Sequence, residues 1–193
     1  MRAPLRALLL ASIILLAPAA AEAQQRDTAR QSVAARTEGM RRIDGFVPLY
    51  WDERTGRMLM EVPAPDTEIL YYVSLPQGVG HNDIGLNRGD LGPRYVVTFE
   101  RVGPKVLMVQ PNQAFRATTD NAAELKAVED AFARSTIWGF TVAAESDGRV
   151  LVDATDFFLR DAHGVINTLR GSGQGTFRVD ATRGAFYMER TKG

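Results

Sequence analysis

The sequence predicts an α+β fold: an antiparallel sheet built from hairpins, with one or two helices. Short runs of β-branched and aromatic residues recur along the chain, bounded by turn residues. One segment carries apolar residues at helical spacing. The hairpins are interrupted only once or twice by a helix, which is the order of an α+β domain with an antiparallel sheet.

The elements follow in chain order. Phe46 to Trp51 reads as a strand, Asp52-Glu53-Arg54-Thr55-Gly56 as a turn, and Arg57 to Val62 as the returning strand, stopped by Pro63 and Pro65. Ile69 to Val73 is a further strand. Pro76 to Pro93 holds Gly78, Gly80, Gly85, Gly89 and Gly92 and reads as a long loop of the kind that often carries function. Tyr95 to Phe99 and Val106 to Val109 flank a break at Gly103-Pro104, with Tyr95, Val97 and Phe99 on one face.

Asn121 and Glu124 have capping-box spacing, and Leu125, Val128 and Phe132 follow at helical spacing. Trp138 to Ala144 and Arg149 to Ala154 form a hairpin about Asp147-Gly148. Asp156 to Leu169 predicts a shorter helix ending at Gly171. Thr176 to Val179 and Ala185 to Met188 predict two closing strands about Arg183-Gly184, the last of them an unpaired edge.

Composition bounds the function. The chain has 193 residues, 45% hydrophobic and 24% charged, which is ordinary for a globular domain. Arg2 and Arg6, the apolar run Ala7 to Leu16 and the small residues of Ala21-Glu22-Ala23 form the three parts of a secretory signal peptide over residues 1–23. Its apolar run is short for a membrane span, and no later segment could provide one. Residues 24–39 are polar and alanine-rich and read as a flexible leader, with the domain over 40–193.

The 23 basic and 23 acidic residues leave the mature chain near neutrality once Arg2, Arg6 and Glu22 are removed. That balance does not favour nucleic acid. The lack of cysteine excludes disulfides, thiolate metal sites and a cysteine nucleophile. Together these features point to an exported protein, periplasmic or secreted.

Motifs for catalysis are sparse. A catalytic zinc site takes about three protein ligands, commonly from a helical H-E-x-x-H. The chain has only His81 and His163, each isolated. Asp153, Asp156 and Asp161 cluster with Thr155, where capping of a helix by Thr155 or Asp156 competes with calcium binding. A small hydrolase using Asp153 and Asp156 is a weaker reading. Gly171-Ser172-Gly173-Gln174-Gly175 follows a helix and opens a strand, the reverse of a phosphate loop, and reads as a helix-ending turn. No Gly-x-Ser-x-Gly elbow occurs. Phe46, Tyr50, Trp51, Tyr71 and Tyr72 could line a peptide groove or serve as strand core. Asn82, Asp83, Arg88, Asp153, Asp156 and His163 stand as candidates for a ligand or interface.

Longer runs carry a resemblance. Arg42-Ile43-Asp44-Gly45-Phe46-Val47-Pro48-Leu49-Tyr50-Trp51-Asp52, Asn82-Asp83-Ile84-Gly85-Leu86-Asn87-Arg88-Gly89, Phe99-Glu100-Arg101-Val102-Gly103-Pro104-Lys105-Val106 and Val152 to Gly164 occur in this order. Over about Met40 to Lys192 the chain resembles a domain of unknown function at the N-terminal side of bacterial exported zinc-dependent metalloproteases. The resemblance implies a non-catalytic accessory domain, with zinc and H-E-x-x-H in a downstream metallopeptidase domain that would be its partner. It transfers no catalytic residue to this chain and no cofactor, and it implies a truncation before the catalytic domain. The second expectation is a free-standing periplasmic module that binds a ligand or a protein.

Overall fold

The computed structural model describes residues 31–193. The signal peptide at 1–23 and the first part of the leader, 24–30, lie outside the described residues. Eight strands form one curled antiparallel sheet, a half-barrel: β1 (Arg41–Ile43), β2 (Leu49–Asp52), β3 (Arg57–Glu61), β4 (Ile69–Ser74), β5 (Leu91–Val102), β6 (Lys105–Gln110), β7 (Ser135–Ser146) and β8 (Arg149–Asp153). Their order is β1-β2-β3-β8-β7-β6-β5-β4. Among the described residues, four short α-helices accompany them: α1 (Val33–Arg36), α2 (Ala122–Ala131), α3 (Thr155–Phe158) and α4 (Val165–Gly171).

The expected hairpins form because their turns supply the required backbone. Asp147 and Gly148 both hold positive φ, at 53° and 73°, the conformation that a two-residue primed turn demands. Asp52 closes the β2–β3 turn by accepting from the Arg54 and Thr55 amides and the Thr55 hydroxyl. Register shifts at Met108/Val109, Val142/Ala144 and Tyr72/Ser74 interrupt the ladders. Such bulges bend strands, and here they accompany the curl.

Curling gives the sheet two unlike faces. Met58 and Met60 of β3, Val97 and Phe99 of β5, Met108 of β6 and Phe140 of β7 point into the concave side, where Phe157 of α3 closes over them. The other face carries a small core of Tyr50, Leu59, Ala144 and Leu151 beneath Val33 of α1. Val33 is fully buried, and its amide donates to Ser146 Oγ at 3.1 Å. Packing therefore begins before Met40, inside the stretch whose composition suggests a flexible leader. The buried valine, the Ser32 cap on the Ala35 amide and the Glu145 amide bond to the Gln31 carbonyl together hold this helical turn, and composition does not reveal them.

Three further expectations change. The helix expected over Asp156 to Leu169 is two helices, α3 and α4, because Asp161 starts a new one. Its carboxylate accepts from the amides of Gly164, Val165 and Ile166 at 2.9–3.0 Å. The strands expected at Thr176–Val179 and Ala185–Met188 do not form, so the Phe186-Tyr187-Met188 segment offers no sheet edge. These residues have strand propensity but no paired neighbour, and propensity without cross-strand partners is weak. Helix α2 does form where expected, with Asn121 accepting from the Ala123 amide at 3.0 Å. Its apolar stripe, however, stays at the surface: Leu125 is 47% exposed, and Phe132 stacks only on Phe115 at 4.0 Å.

Candidate functional site

The concave side of the sheet holds the most developed site, in two adjoining parts. The first is an aromatic layer about Phe157. Its ring lies 5.1 Å from Phe140, 5.6 Å from Tyr71 and 5.9 Å from Trp138. Tyr71 stacks on Tyr95 of the neighbouring strand, as their direct pairing requires. Arg160 lies over both Trp138, at 4.7 Å, and Phe157, at 4.3 Å, and donates to Tyr71 Oη at 2.9 Å. Its other terminal nitrogen is buried with no partner. Aromatic faces therefore take the place of a carboxylate for this cation. Burial pushes the Tyr71 phenol above its ordinary range, with the Arg160 charge opposing.

The second part is an apolar cavity of about 520 Å³ beside that layer. Leu49, Met58, Met60, Val97, Phe99 and Met108 form its walls. Phe158 and Phe186 cover it, and Arg190 and Lys192 stand at its lip. Trp51 meets Phe186 edge-on at 5.3 Å, which ties the covering segment to β2. Gly193 reaches the β1–β2 connection, where a side chain on Gly45 would collide with the Gly193 backbone and a side chain on Gly193 would collide with the carbonyls of Ile43 and Val47. Among the described residues, no Asp or Glu side chain lines the cavity.

The residues singled out in the sequence fall elsewhere. Asn82 and Asp83 sit in an exposed 3-10 turn, Asn82–Ile84, and Arg88 is exposed further along the same loop. That loop is anchored rather than free, with Leu75 and Leu86 buried and Gly89 donating to the Leu75 carbonyl. Asp153 accepts from the Thr155 amide at 3.0 Å and pairs with Arg57 at 3.3 Å. The capping role expected of Thr155 or Asp156 therefore belongs to Asp153. Thr155 instead accepts from the Met58 amide and locks α3 to β3. Asp156 is exposed and borders a shallow groove with Arg36, Arg57 and Asp153.

His163 is 10% exposed, and neither ring nitrogen has a hydrogen-bond partner. Asp90 is its nearest carboxylate, at 3.5 Å. The ring lies so close to β5 that a side chain on Gly92 would collide with it, so Gly92 is a packing requirement. Among the described residues, no group of three or more His, Asp or Glu could hold a metal ion. No helix among them is long and apolar enough to cross a membrane.

Sequence reasoning missed the cavity. Its lining comes from five strands, β2 to β6, and its cover from two distant segments, so no local spacing marks it. The aromatic set divides as well: Tyr50 is buried on the opposite face, Tyr71 is half-buried in the layer, and Phe46 is 72% exposed.

No curated protein and no solved structure matches this chain. The family described as "Domain of unknown function (DUF5117)" matches residues 89–193. The matched segment contains β5 to β8 and α2 to α4, and β4 and β3 extend its sheet on either side. The match covers more than half of the sequence, so the chain belongs to the DUF5117 family.

Proposed function

We propose that this chain is a non-catalytic accessory domain of an exported zinc-dependent metallopeptidase, docking on a metallopeptidase domain of the same parent protein. The observation that carries the reading is the β4 edge, which has no partner strand among the described residues. Leu70 and Tyr72 alternate outward along it at 69% and 42% exposure, and Leu91 opposite Ser74 adds 58%. An apolar edge strand of this kind invites cover by another element. The resemblance of its sequence runs to exported metalloproteases favours a metallopeptidase domain as the neighbour, and the signal-peptide pattern supports export. Zinc belongs to the neighbour in this reading.

A second reading, a free-standing binding module, draws its support from the cavity of about 520 Å³, a size that suits a small-molecule ligand.

Peptidase activity separates the first reading from catalysis by the chain itself. Purified protein lacking residues 1–23, supplied with zinc, should leave casein intact with and without chelator. Casein cleavage that the chelator abolishes would sink the accessory reading.

A further inference from the structure

We infer that the concave cavity binds a single-chain anionic amphiphile, with the hydrocarbon chain inside and the head group at Arg190 and Lys192. This names a ligand class for the binding-module reading. It does not depend on whether a metallopeptidase domain accompanies the chain.

The cavity walls are mostly hydrocarbon and thioether, with the Tyr71 and Tyr72 side chains on the β4 side. Met58, Met60 and Met108 contribute three unbranched, polarisable side chains to one space, a lining that adapts to a flexible apolar guest. The adjacent polar group is already engaged, since Tyr71 accepts from Arg160. A ligand with several polar groups along its length would therefore leave them unpaired inside, at a cost that disfavours it.

The lip has the opposite character. Arg190 and Lys192 are exposed, they have no ion pair among the described residues, and no Asp or Glu side chain shares the cavity with them. The Thr191 side chain between them is turned to the Tyr187 carbonyl. Two cations at the mouth of an apolar chamber match one anionic head on one apolar tail. Arginine and lysine bind carboxylate or phosphate with charge-assisted hydrogen bonds. A free fatty acid and an anionic phospholipid share this chemistry and differ in source.

The test is a fluorescence titration of the full mature chain with cis-parinaric acid, a polyene fatty acid, followed by displacement with palmitate or with hexadecanol. Saturable binding at one site per chain is expected, with palmitate displacing about tenfold better than the alcohol. R190E/K192E changes only exposed side chains. It should keep the circular dichroism spectrum and weaken palmitate by about tenfold, with little change for the alcohol. Vesicles of phosphatidylglycerol, tested separately, identify the source: extraction of a lipid from them points to membrane lipid, and binding of fatty acid alone points to the soluble monomer. Absence of saturable binding to either overturns the inference. So does equal binding of acid and alcohol, or an unchanged affinity in R190E/K192E. Those failures leave the docking reading intact: Leu70 and Tyr72 border the cavity, but that reading rests on their exposed apolar surface and not on the cavity's taking an amphiphile.

Discussion

Phe157→Ala should lower stability by about 3–5 kcal/mol. Phe157 is 7% exposed and stands where the two sides of the curled sheet meet. Its ring touches Phe140, Tyr71, Trp138 and Phe158 and supports Arg160 from below. Truncation removes the buried area and leaves a hole that strands held in a ladder cannot collapse into. It also strips Arg160 of one of its two aromatic faces. The expected result is a fall in melting temperature of about 10 °C or more, with the denaturant slope nearly unchanged. Phe157→Leu, which keeps most of the volume, should lose much less. A melt for Phe157→Ala within a degree or two of the native protein would mean that α3 does not close the concave core.

Glu61→Ala should cost about 1–3 kcal/mol, and its effect should depend on pH in a defined direction. Glu61 of β3 receives two hydrogen bonds from Arg149, from Nε at 2.8 Å and Nη2 at 2.6 Å, in a bidentate fork. Tyr50 donates to the same carboxylate at 3.1 Å and accepts from Arg149 at 2.8 Å. The three residues lie on β2, β3 and β8, so they clasp adjacent strands. Arg149 remains 39% exposed, and solvent screening keeps the effect below that of a fully buried pair.

The Arg149 hydrogen bonds hold the Glu61 carboxyl below its ordinary range, against a smaller opposing effect of burial. Its contribution is therefore complete above the ordinary glutamate value of about 4.3, and it is lost as pH falls through the lower folded value. Tyr50 is raised, first by burial and then by the Glu61 charge. Its contribution is complete below the ordinary tyrosine value of about 10 and is lost as pH rises through the higher folded value. Chemical denaturation of native protein and Glu61→Ala across pH should show a gap that is widest near neutrality and narrows in acid. A gap that stays constant down to the lowest pH at which both proteins fold would contradict this account.

The legible part of the fold is its local part. Asp147-Gly148 and Asp52 to Gly56 specify their turns chemically, and the runs beside them are strands with consecutive buried residues because both faces of the sheet are covered. Asn121 announces α2 by capping it. What stays hidden is the long-range pairing. Nothing local in Leu59 or Asp153 indicates that β3 lies beside β8, yet that pairing joins the first hairpin to the rest of the sheet. The misread segment about Phe177 and Tyr187 fails for the same reason: these residues resemble strand, but no neighbour pairs with them, and both remain about half exposed. The candidate site follows this pattern. Asp153 and His163 are recognisable in sequence as special residues, and the structure shows them serving a helix start and a tight strand approach. The cavity needs five strands and the closing segment to be in place before it exists.

The most direct test of the accessory-domain account is the mass of the native product in the source cells. An antibody raised against residues 44–52 would detect it on a denaturing gel, with intact-mass measurement of the captured protein. The account predicts a product well above 21.2 kDa that also contains an H-E-x-x-H peptide. A sole product at or slightly below 21.2 kDa would contradict it and leave a short protein that functions without an attached peptidase.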